Sequence, residues 1–212
     1  MGLRIDMHVH TAQYSPCSQI DPDRLIKQAV RVGLQGLVIT EHHYQWRDEE
    51  LSALLERSGE MGFLLLAGFE YTTSAGDLLV FGLDATAVQH FPPGLMPSDA
   101  VCRVHELGGF CVAAHPTRAG MGFDESIFNL GIDAVEVASV NLRDHEQRLA
   151  MRIATAAELP NFVSSDAHRL PAVGRYAMEF QVPVRSIDDI VRALAARQFQ
   201  PIGCSAIAEL QA

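Results

Sequence analysis

The chain has 212 residues, of which 48% are hydrophobic and 20% charged, values typical of a globular domain with a substantial core. It has no apolar run of about 18 residues, which argues against a membrane-spanning helix. The formal net charge of -10 disfavours a surface that binds long nucleic acid. The N-terminus lacks the basic start and long apolar run of a signal peptide, so we expect a cytoplasmic protein.

Short apolar segments alternate with amphipathic ones along the chain. The predicted strands are Leu3–His8, Gly36–Thr40, Phe63–Phe69, Leu78–Leu83, Phe110–Ala114, Ala134–Ala138 and Asn161–Ser165, with a weaker candidate at Pro201–Ala206. Most are nearly continuous apolar runs rather than strict alternations of apolar and polar residues. This pattern is typical of parallel strands that are buried on both faces.

Helix signals lie between these strands. Asp21 and Pro22 predict the start of the first helix, and Gly33 predicts its end. Ser98 and Ser186 are the predicted N-caps of two later helices. Strands and helices in alternation predict right-handed βαβ units, and no repeat or linker divides the chain. We therefore expect an α/β fold with one domain over residues 1–212.

Side chains that can bind metals cluster where the predicted strands end. They are Asp6, His8 and His10 at the first strand, Glu41, His42 and His43 at the second, Glu70 at the third, His115 after Phe110–Ala114, and Asp166 with His168 after Asn161–Ser165. In parallel α/β barrels the carboxyl ends of the strands meet on one face. Burying so many charges together is costly unless a metal compensates them, so the pattern predicts a metal site.

The spacing of these residues supports that interpretation. Residues two apart on a strand point to the same side, so His8 pairs with His10, and Asp166 pairs with His168. Imidazole and carboxylate together suit zinc, manganese or iron. Two or three such ions can share bridging carboxylates and lower the pKa of water enough to give hydroxide near neutral pH. Glu136, within Ala134–Ala138, is also metal-capable but could equally be a capped or salt-bridged barrel acid. His43, His90, His105 and His145 are expected to be surface or core histidines.

The same motifs resemble the PHP domain family (polymerase and histidinol phosphatase). They are Asp6-Met-His8-Val-His10-Thr11, Ile39-Thr40-Glu41-His42, Gly68-Phe-Glu70, Ala114-His115-Pro116 and Ser165-Asp166-Ala167-His168. They occur in the family's order and span most of the chain. The resemblance implies a distorted seven-stranded (β/α)7 TIM-like barrel that hydrolyses phosphoesters at a di- or trinuclear site of zinc, manganese or iron.

The resemblance also implies a role for each matching residue. His8 and His10 would bind the first metal, and Asp166 would complete that site. Glu70 would bridge two metals. His115 would bind the second metal, and His42 with His168 would bind the third.

The chain departs from the family pattern in three places. Glu41 stands where the family often has aspartate, but this acid is not a ligand in the family. The segment after the paired histidines has no acid or histidine to complete the third site, so either Cys17 is a thiolate ligand or the third metal is weak or missing. A further ligand of the second metal is expected between Glu70 and His115, and Asp77 is the candidate.

The catalytic roles follow from these positions. Arg118 and Arg169 each follow a ligand motif and are candidates to clamp phosphoryl oxygens, although either could be a surface or salt-bridged arginine. His43 is the candidate general acid. The predicted activity is metal-dependent hydrolysis of a small phosphomonoester or phosphodiester by a metal-activated hydroxide, with a small phosphorylated substrate as the partner and no membrane.

Three other functions stay open at this point. A metal-dependent amidohydrolase also carries paired histidines on its first strand, and it usually has a bridging carbamylated lysine or a bridging carboxylate. The single lysine, Lys27, lies on a predicted helix. The second open function is a nuclease that acts on short oligonucleotides. The third is a non-catalytic metal-binding regulatory domain. The sequence does not indicate the oligomeric state.

Overall fold

The computed structural model describes residues 2–123 and 129–203, and its strands form one nine-stranded sheet. The strands are β1 (Leu3–Val9), β2 (Gly36–His42), β3 (Leu64–Thr73), β4 (Gly76–Phe81), β5 (Phe110–Ala114), β6 (Ala134–Ala138), β7 (Asn161–Val163), β8 (Ala177–Phe180) and β9 (Phe199–Ile202). The α-helices of these residues are α1 (Pro22–Arg31), α2 (Asp48–Ser58), α3 (Pro97–Glu106), α4 (Asp144–Ala156) and α5 (Ile187–Ala195).

The sheet curls into a nearly closed barrel. Its strand order is β7-β6-β5-β4-β3-β2-β1-β8-β9, and the two edge strands, β7 and β9, contact each other. At the carboxyl end of β1 the chain after β7 pairs directly with it, because Val9 and Ala167 form a parallel bridge. The His10 amide donates to the Ala167 carbonyl at 3.1 Å. The predicted distorted TIM-like barrel is confirmed.

The strand directions differ from a regular (β/α)7 barrel. Strands β1, β2 and β3 are mutually parallel, as are β5, β6 and β7, but β4 is antiparallel to both β3 and β5. Strand β8, which the sequence pattern did not predict, is antiparallel to β1 and β9. A buried apolar run does not encode its direction, and the expectation of an all-parallel sheet was therefore wrong for these strands.

The hairpin between β3 and β4 brings a residue of β4 to the end of the barrel where the predicted ligands lie. Glu70 was expected to end its strand, but β3 continues to Thr73 before the chain turns back at Gly76, whose φ is +108°. A positive φ of this kind favours glycine. Because β4 runs in reverse, Asp77 near its start pairs with Thr72 and Ala114. Asp77, near the amino end of β4, therefore lies at the same end of the barrel as the carboxyl ends of β3 and β5.

The helix signals were largely correct. Asp21 caps α1 by accepting from the Asp23 amide at 3.0 Å, and Ser186 caps α5 by accepting from the Asp189 amide at 3.2 Å. Helix α3 begins two residues earlier than its predicted cap at Ser98 would allow, since Met96 is the N-cap and Pro97 the first residue. Helix α2 was not predicted. The weak strand at Pro201–Ala206 corresponds to β9 as far as Ile202, and its last residues lie outside the described ones.

Two clusters of buried apolar side chains form the core of the barrel. Phe69, Phe81, Phe162 and Phe180 belong to one large buried cluster, and a second cluster includes Ile26 of α1 with partners from β2, β3 and α2. Over the residues that the structure covers, none of the helices has the length and apolar character needed to cross a membrane. The cytoplasmic location and the single-domain organisation stay predictions.

Candidate metal centre

Neighbouring strands bring the predicted ligands together at one end of the barrel. His8 lies in β1 and His10 follows it, while His42 is the last residue of β2 and stands opposite Glu70 of β3 in the ladder. His115 follows β5, directly after the residue that pairs with Asp77. All but His42 of these six side chains are buried. Strand pairing therefore gathers residues that are far apart in the sequence.

The Glu70 carboxylate lies at the centre of the group. Its Oε2 is 3.3 Å from His8 Nε2, 3.1 Å from His10 Nε2 and 3.3 Å from His42 Nδ1. Its Oε1 faces the opposite way and is 3.0 Å from His115 Nε2. The two oxygens of one carboxylate thus face different sets of imidazoles. This is the geometry expected of a carboxylate that bridges two ions.

Hydrogen bonds behind the first two histidines set their tautomers. His8 Nδ1 is 3.0 Å from a Glu136 oxygen, and His10 Nδ1 is 3.3 Å from Ser15 Oγ. Ser15 donates its own proton to Glu41 at 2.5 Å, so it accepts the proton of His10 Nδ1. When both rings are neutral, as metal binding requires, their Nε2 atoms carry the lone pairs, and these atoms lie only 3.0 Å apart. Two lone pairs aimed at one position favour a bound cation.

Asp166 joins this group from the segment after β7. Its Oδ1 is 3.4 Å from His8 Nε2, 3.6 Å from His10 Nε2 and 3.5 Å from His168 Nδ1. Asn141 donates to its other oxygen at 2.7 Å. Asp166 and His115 have φ values of +50° and +31°, which non-glycine residues rarely adopt. Such backbone strain is typical of functional sites, where surrounding contacts hold an unfavourable conformation.

The ligand atoms form overlapping groups that fit more than one ion. Four sets of three residues each place their ligand atoms within 4.8 Å of one another. The sets are His8, His10 and Glu70; His8, His115 and Asp166; Glu70, Asp77 and His115; and His10, His42 and His168. Asp77 Oδ1, His115 Nδ1 and Asp166 Oδ1 are buried and have no hydrogen-bond partner among residues 2–123 and 129–203. Buried acceptors without partners are costly, and a divalent metal would satisfy the carboxylate oxygens.

Charge inside the cluster is balanced by protons when no metal is bound. Burial opposes a charge on His8, but the Asp166, Glu70 and Glu136 carboxylates outweigh it and raise its pKa well above the ordinary value. Burial likewise opposes a charge on His115, yet its bond to Glu70 raises its pKa to about 9. The same histidines hold the pKa of Glu70 well below its usual range against the effect of burial. Positive charge, from protons or from metal ions, is therefore needed to balance the buried carboxylates of the cluster.

The outer histidines have a different electrostatic environment. Burial and the neighbouring imidazoles lower the pKa of His42 to about 4, and burial with the charge of His10 also lowers the pKa of His168. Both rings pack on His10, with centroid separations of 4.6 Å and 4.5 Å. Neutral imidazoles are the form that binds metals, so this trio suits a third ion.

Cys17 is not brought into the cluster. Its side chain is exposed, and it belongs to none of the ligand groups found among the described residues. Burial of part of the side chain and the charges of Glu70 and Asp166 raise the pKa of its thiol, which disfavours the thiolate. A role for Cys17 as a ligand of the third metal stays a prediction, and the geometry offers it no support.

Alkylation of the thiol provides a direct check. We expect the rate at which iodoacetamide labels Cys17 to be the same before and after metal removal, because the side chain already faces solvent. Peptide mapping by mass spectrometry would measure it, and exposed Cys102, which belongs to none of the ligand groups among the described residues, serves as the internal control. Protection of Cys17 that is lost on chelation would instead assign its sulfur to the third ion.

The three candidate catalytic residues differ in position. Arg118 is near the cluster, with its guanidinium 4.0 Å from Asp166 Oδ2 and its side chain 32% exposed. Arg169 is exposed and has no ion pair in the described part of the chain. His43 packs edge-on against the Tyr71 ring at 5.3 Å and joins none of the ligand groups found there. The geometry therefore favours Arg118.

The structure adds supporting residues that sequence reasoning did not assign. Glu136 binds His8 and accepts the His115 amide at 2.8 Å, so one acid positions two candidate ligands. Glu41 accepts from Thr11, Ser15 and Trp46, and it anchors the loop behind His10. The signal for both was present as an acid within a buried apolar strand, but only the fold shows which ligands they support.

Comparison with known proteins agrees with these motifs. A family model described as PHP-associated matches residues 144–199. A curated relative, the uncharacterized protein MJ1587 of Methanocaldococcus jannaschii, is 28% identical over 153 residues, which cover 67% of this chain and 85% of the relative. A two-domain protein from Bacteroides vulgatus that contains a predicted PHP-like metal-dependent phosphoesterase has the same fold. Its TM-score is 0.72 at 20% identity, covering 95% of this chain and 64% of the other.

These matches support the resemblance of the chain to the PHP domain family.

Two further solved structures share the fold of this chain. The lesion-specific endonuclease PfuEndoQ from Pyrococcus furiosus matches with a TM-score of 0.73 at 18% identity, covering 95% of this chain and 58% of the other. An amidohydrolase from Chromobacterium violaceum, with bound sulfate and no metal, matches with a TM-score of 0.64 at 19% identity, covering 95% and 99%. At such identities the likeness concerns the fold alone.

Proposed function

We propose that this protein is a metal-dependent phosphoesterase of the PHP type that uses two or three divalent ions, drawn from zinc, manganese and iron. The observation that carries the proposal is the position of Glu70, whose Oε2 faces His8 and His10 while its Oε1 faces His115. A single carboxylate between two sets of imidazoles is the arrangement that holds two ions close together. Two adjacent ions suit the displacement of an oxygen at phosphorus.

Each ion has a candidate set of ligands. His8, His10 and Asp166 would hold the first together with Glu70, and His115 with Asp77 would hold the second on the other side of Glu70. His42 and His168, beside His10, would hold the third. When bound, such ions supply Lewis-acid stabilisation of phosphoryl charge and lower the pKa of water.

The accessible side of the cluster indicates where the substrate binds. His8 and His10 are fully buried, whereas the side chains of His42 and His168 are 30% and 25% exposed. Arg118 is similarly exposed and lies beside Asp166. We infer that a phosphoryl group enters past these three residues, where Arg118 donates to its non-bridging oxygens. Arg169 as a second clamp and His43 as the general acid remain parts of the proposal.

The substrate that fits best is a small phosphorylated molecule. The net charge of -10 opposes a long phosphate backbone, although the endonuclease fold neighbour makes an oligonucleotide a necessary test. The amidohydrolase fold neighbour supports the second candidate, hydrolysis of an amide. A lysine bridge is excluded there, because Lys27 is exposed on α1, so Glu70 would have to serve. A non-catalytic metal-binding regulatory domain is the third candidate function.

A substrate screen tests the proposal. We expect at least one phosphomonoester, phosphodiester or short oligonucleotide to be cleaved with added manganese or zinc. Chelation should abolish that activity and the metal should restore it, because the ligands would remain in place. Elemental analysis of protein purified without chelator should show at least about two transition-metal ions per chain.

Two results would contradict the proposal. A metal content below about one ion per chain would argue against a multinuclear site. A fully metallated protein that cleaves a cyclic amide and no phosphate ester would establish the amidohydrolase function instead.

A further inference from the structure

A second group of side chains that can bind a metal lies away from the Glu70 cluster, the group formed by His8, His10, His42, Glu70, Asp77, His115, Asp166 and His168. His105 of α3, Cys111 of β5 and Asp133, which precedes β6, each place one ligand atom within 4.8 Å of the others. His105 Nε2 is 3.0 Å from Asp133 Oδ2 and 3.8 Å from Cys111 Sγ. From the sequence His105 was expected to be a surface or core histidine, and it was not predicted to be a ligand.

This group is separate from the site already described. Cys111 is the second residue of β5, whereas His115 follows the last residue of the same strand. Four residues of a strand span about 13 Å. The two groups therefore lie toward opposite ends of the barrel and share no side chain.

The separations fit a tetrahedral ion. With metal–nitrogen and metal–oxygen bonds of about 2.0 Å and a metal–sulfur bond of about 2.3 Å, tetrahedral angles place nitrogen about 3.3 Å from oxygen and about 3.5 Å from sulfur. The observed 3.0 Å and 3.8 Å each lie within about 0.3 Å of these values. An ordinary histidine–aspartate ion pair would not require a thiol at this position.

The backbone fixes the group, and one side of it is open. The Cys111 amide donates to Asp133 Oδ2 at 2.8 Å, which holds the acid against the thiol. Cys111 is fully buried, whereas the side chains of His105 and Asp133 are 38% and 28% exposed. An ion can therefore reach the group from solvent and keep a water as its fourth ligand.

We propose that His105, Cys111 and Asp133 form a second, structural site for zinc or a similar divalent ion. Burial and the Asp133 carboxylate raise the pKa of the Cys111 thiol well above its ordinary value, so an ion would have to displace the thiol proton, and Cys111 would then coordinate as the thiolate. The ion would join α3 to β5 and to the chain that enters β6. This role goes beyond the proposed phosphoesterase activity and does not depend on it.

Cobalt titration tests the site through a signal that only a sulfur ligand produces, the thiolate-to-cobalt absorption in the near ultraviolet. The Glu70 cluster offers nitrogen and oxygen ligands, with Cys17 as the one sulfur predicted near it. We expect the band in the wild-type protein and in Cys17→Ser, and its loss in Cys111→Ser. Circular dichroism would confirm that the variants are folded.

A surface variant keeps the test valid if Cys111→Ser does not fold. His105→Ala removes a half-exposed ligand and should weaken cobalt binding, measured by this band, at least roughly tenfold. His145→Ala, an exposed histidine on α4, is the matched control and should leave the titration unchanged. The proposal is overturned if saturating cobalt gives no sulfur band, if the band survives in Cys111→Ser and His105→Ala, or if Cys17→Ser removes it.

Discussion

Replacing Glu70 with glutamine is expected to lower phosphoesterase kcat at least roughly a hundredfold. The substitution keeps the size of the side chain but removes the charge that faces His8 and His10 through one oxygen and His115 through the other. A neutral amide bridges two cations poorly, and its NH2 group would meet ring nitrogens directly. A hundredfold loss corresponds to about 2.7 kcal/mol of transition-state stabilisation. This is the size of effect expected when binding of a metal ion that neutralises phosphoryl charge is weakened.

The measurement should combine steady-state kinetics with metal analysis and thermal unfolding. Folding should survive, because the core is built from apolar strand residues and not from Glu70. Glu179→Gln is the chemically matched control, since Glu179 lies on β8 and pairs with Arg4, away from the ligand groups. His90→Ala is a second control, outside the site. Near-normal activity with intact metal content in Glu70→Gln would disprove the bridging role.

Replacing Glu136 with glutamine is expected to weaken metal binding by roughly 10- to 100-fold. Glu136 is fully buried and accepts hydrogen bonds from His8 Nδ1, the His115 amide and Ser164. Glutamine can accept only through its single oxygen, so its NH2 group must face one of these donors. If it faces His8, the ring proton shifts to Nε2, the atom aimed at the metal position.

A metal titration separates this positioning role from a catalytic one. The apparent metal affinity of Glu136→Gln should fall, whereas kcat at saturating metal should remain within a few-fold of the wild type. Glu179→Gln should leave both quantities unchanged. An unaltered metal affinity in Glu136→Gln would show that this acid does not orient the ligand histidines.

Several features could be predicted from the sequence because they depend on local patterns. Apolar runs identified most strands, and Asp21 and Ser186 identified two helix starts. The i and i+2 spacing of His8 and His10 placed both rings on one side of β1. The positions of the acids and histidines at strand ends sufficed to predict a metal site, since the carboxyl ends of parallel strands converge.

The remaining features depend on contacts between residues that are distant in the chain. The reversal at Gly76 sets the direction of β4 and brings Asp77 beside His115, although both directions bury the same apolar residues. The partners of Glu136 and the separation of Cys17 from the cluster depend on loop paths and strand register. The group of His105, Cys111 and Asp133 exists only because α3 packs near the starts of β5 and β6. The sequence by itself thus determined which metal-capable side chains lie at the strand ends and, through its motifs, the resemblance that implied a barrel. Tertiary packing decided which of these side chains lie within reach of one another, because that depends on strand direction and loop path.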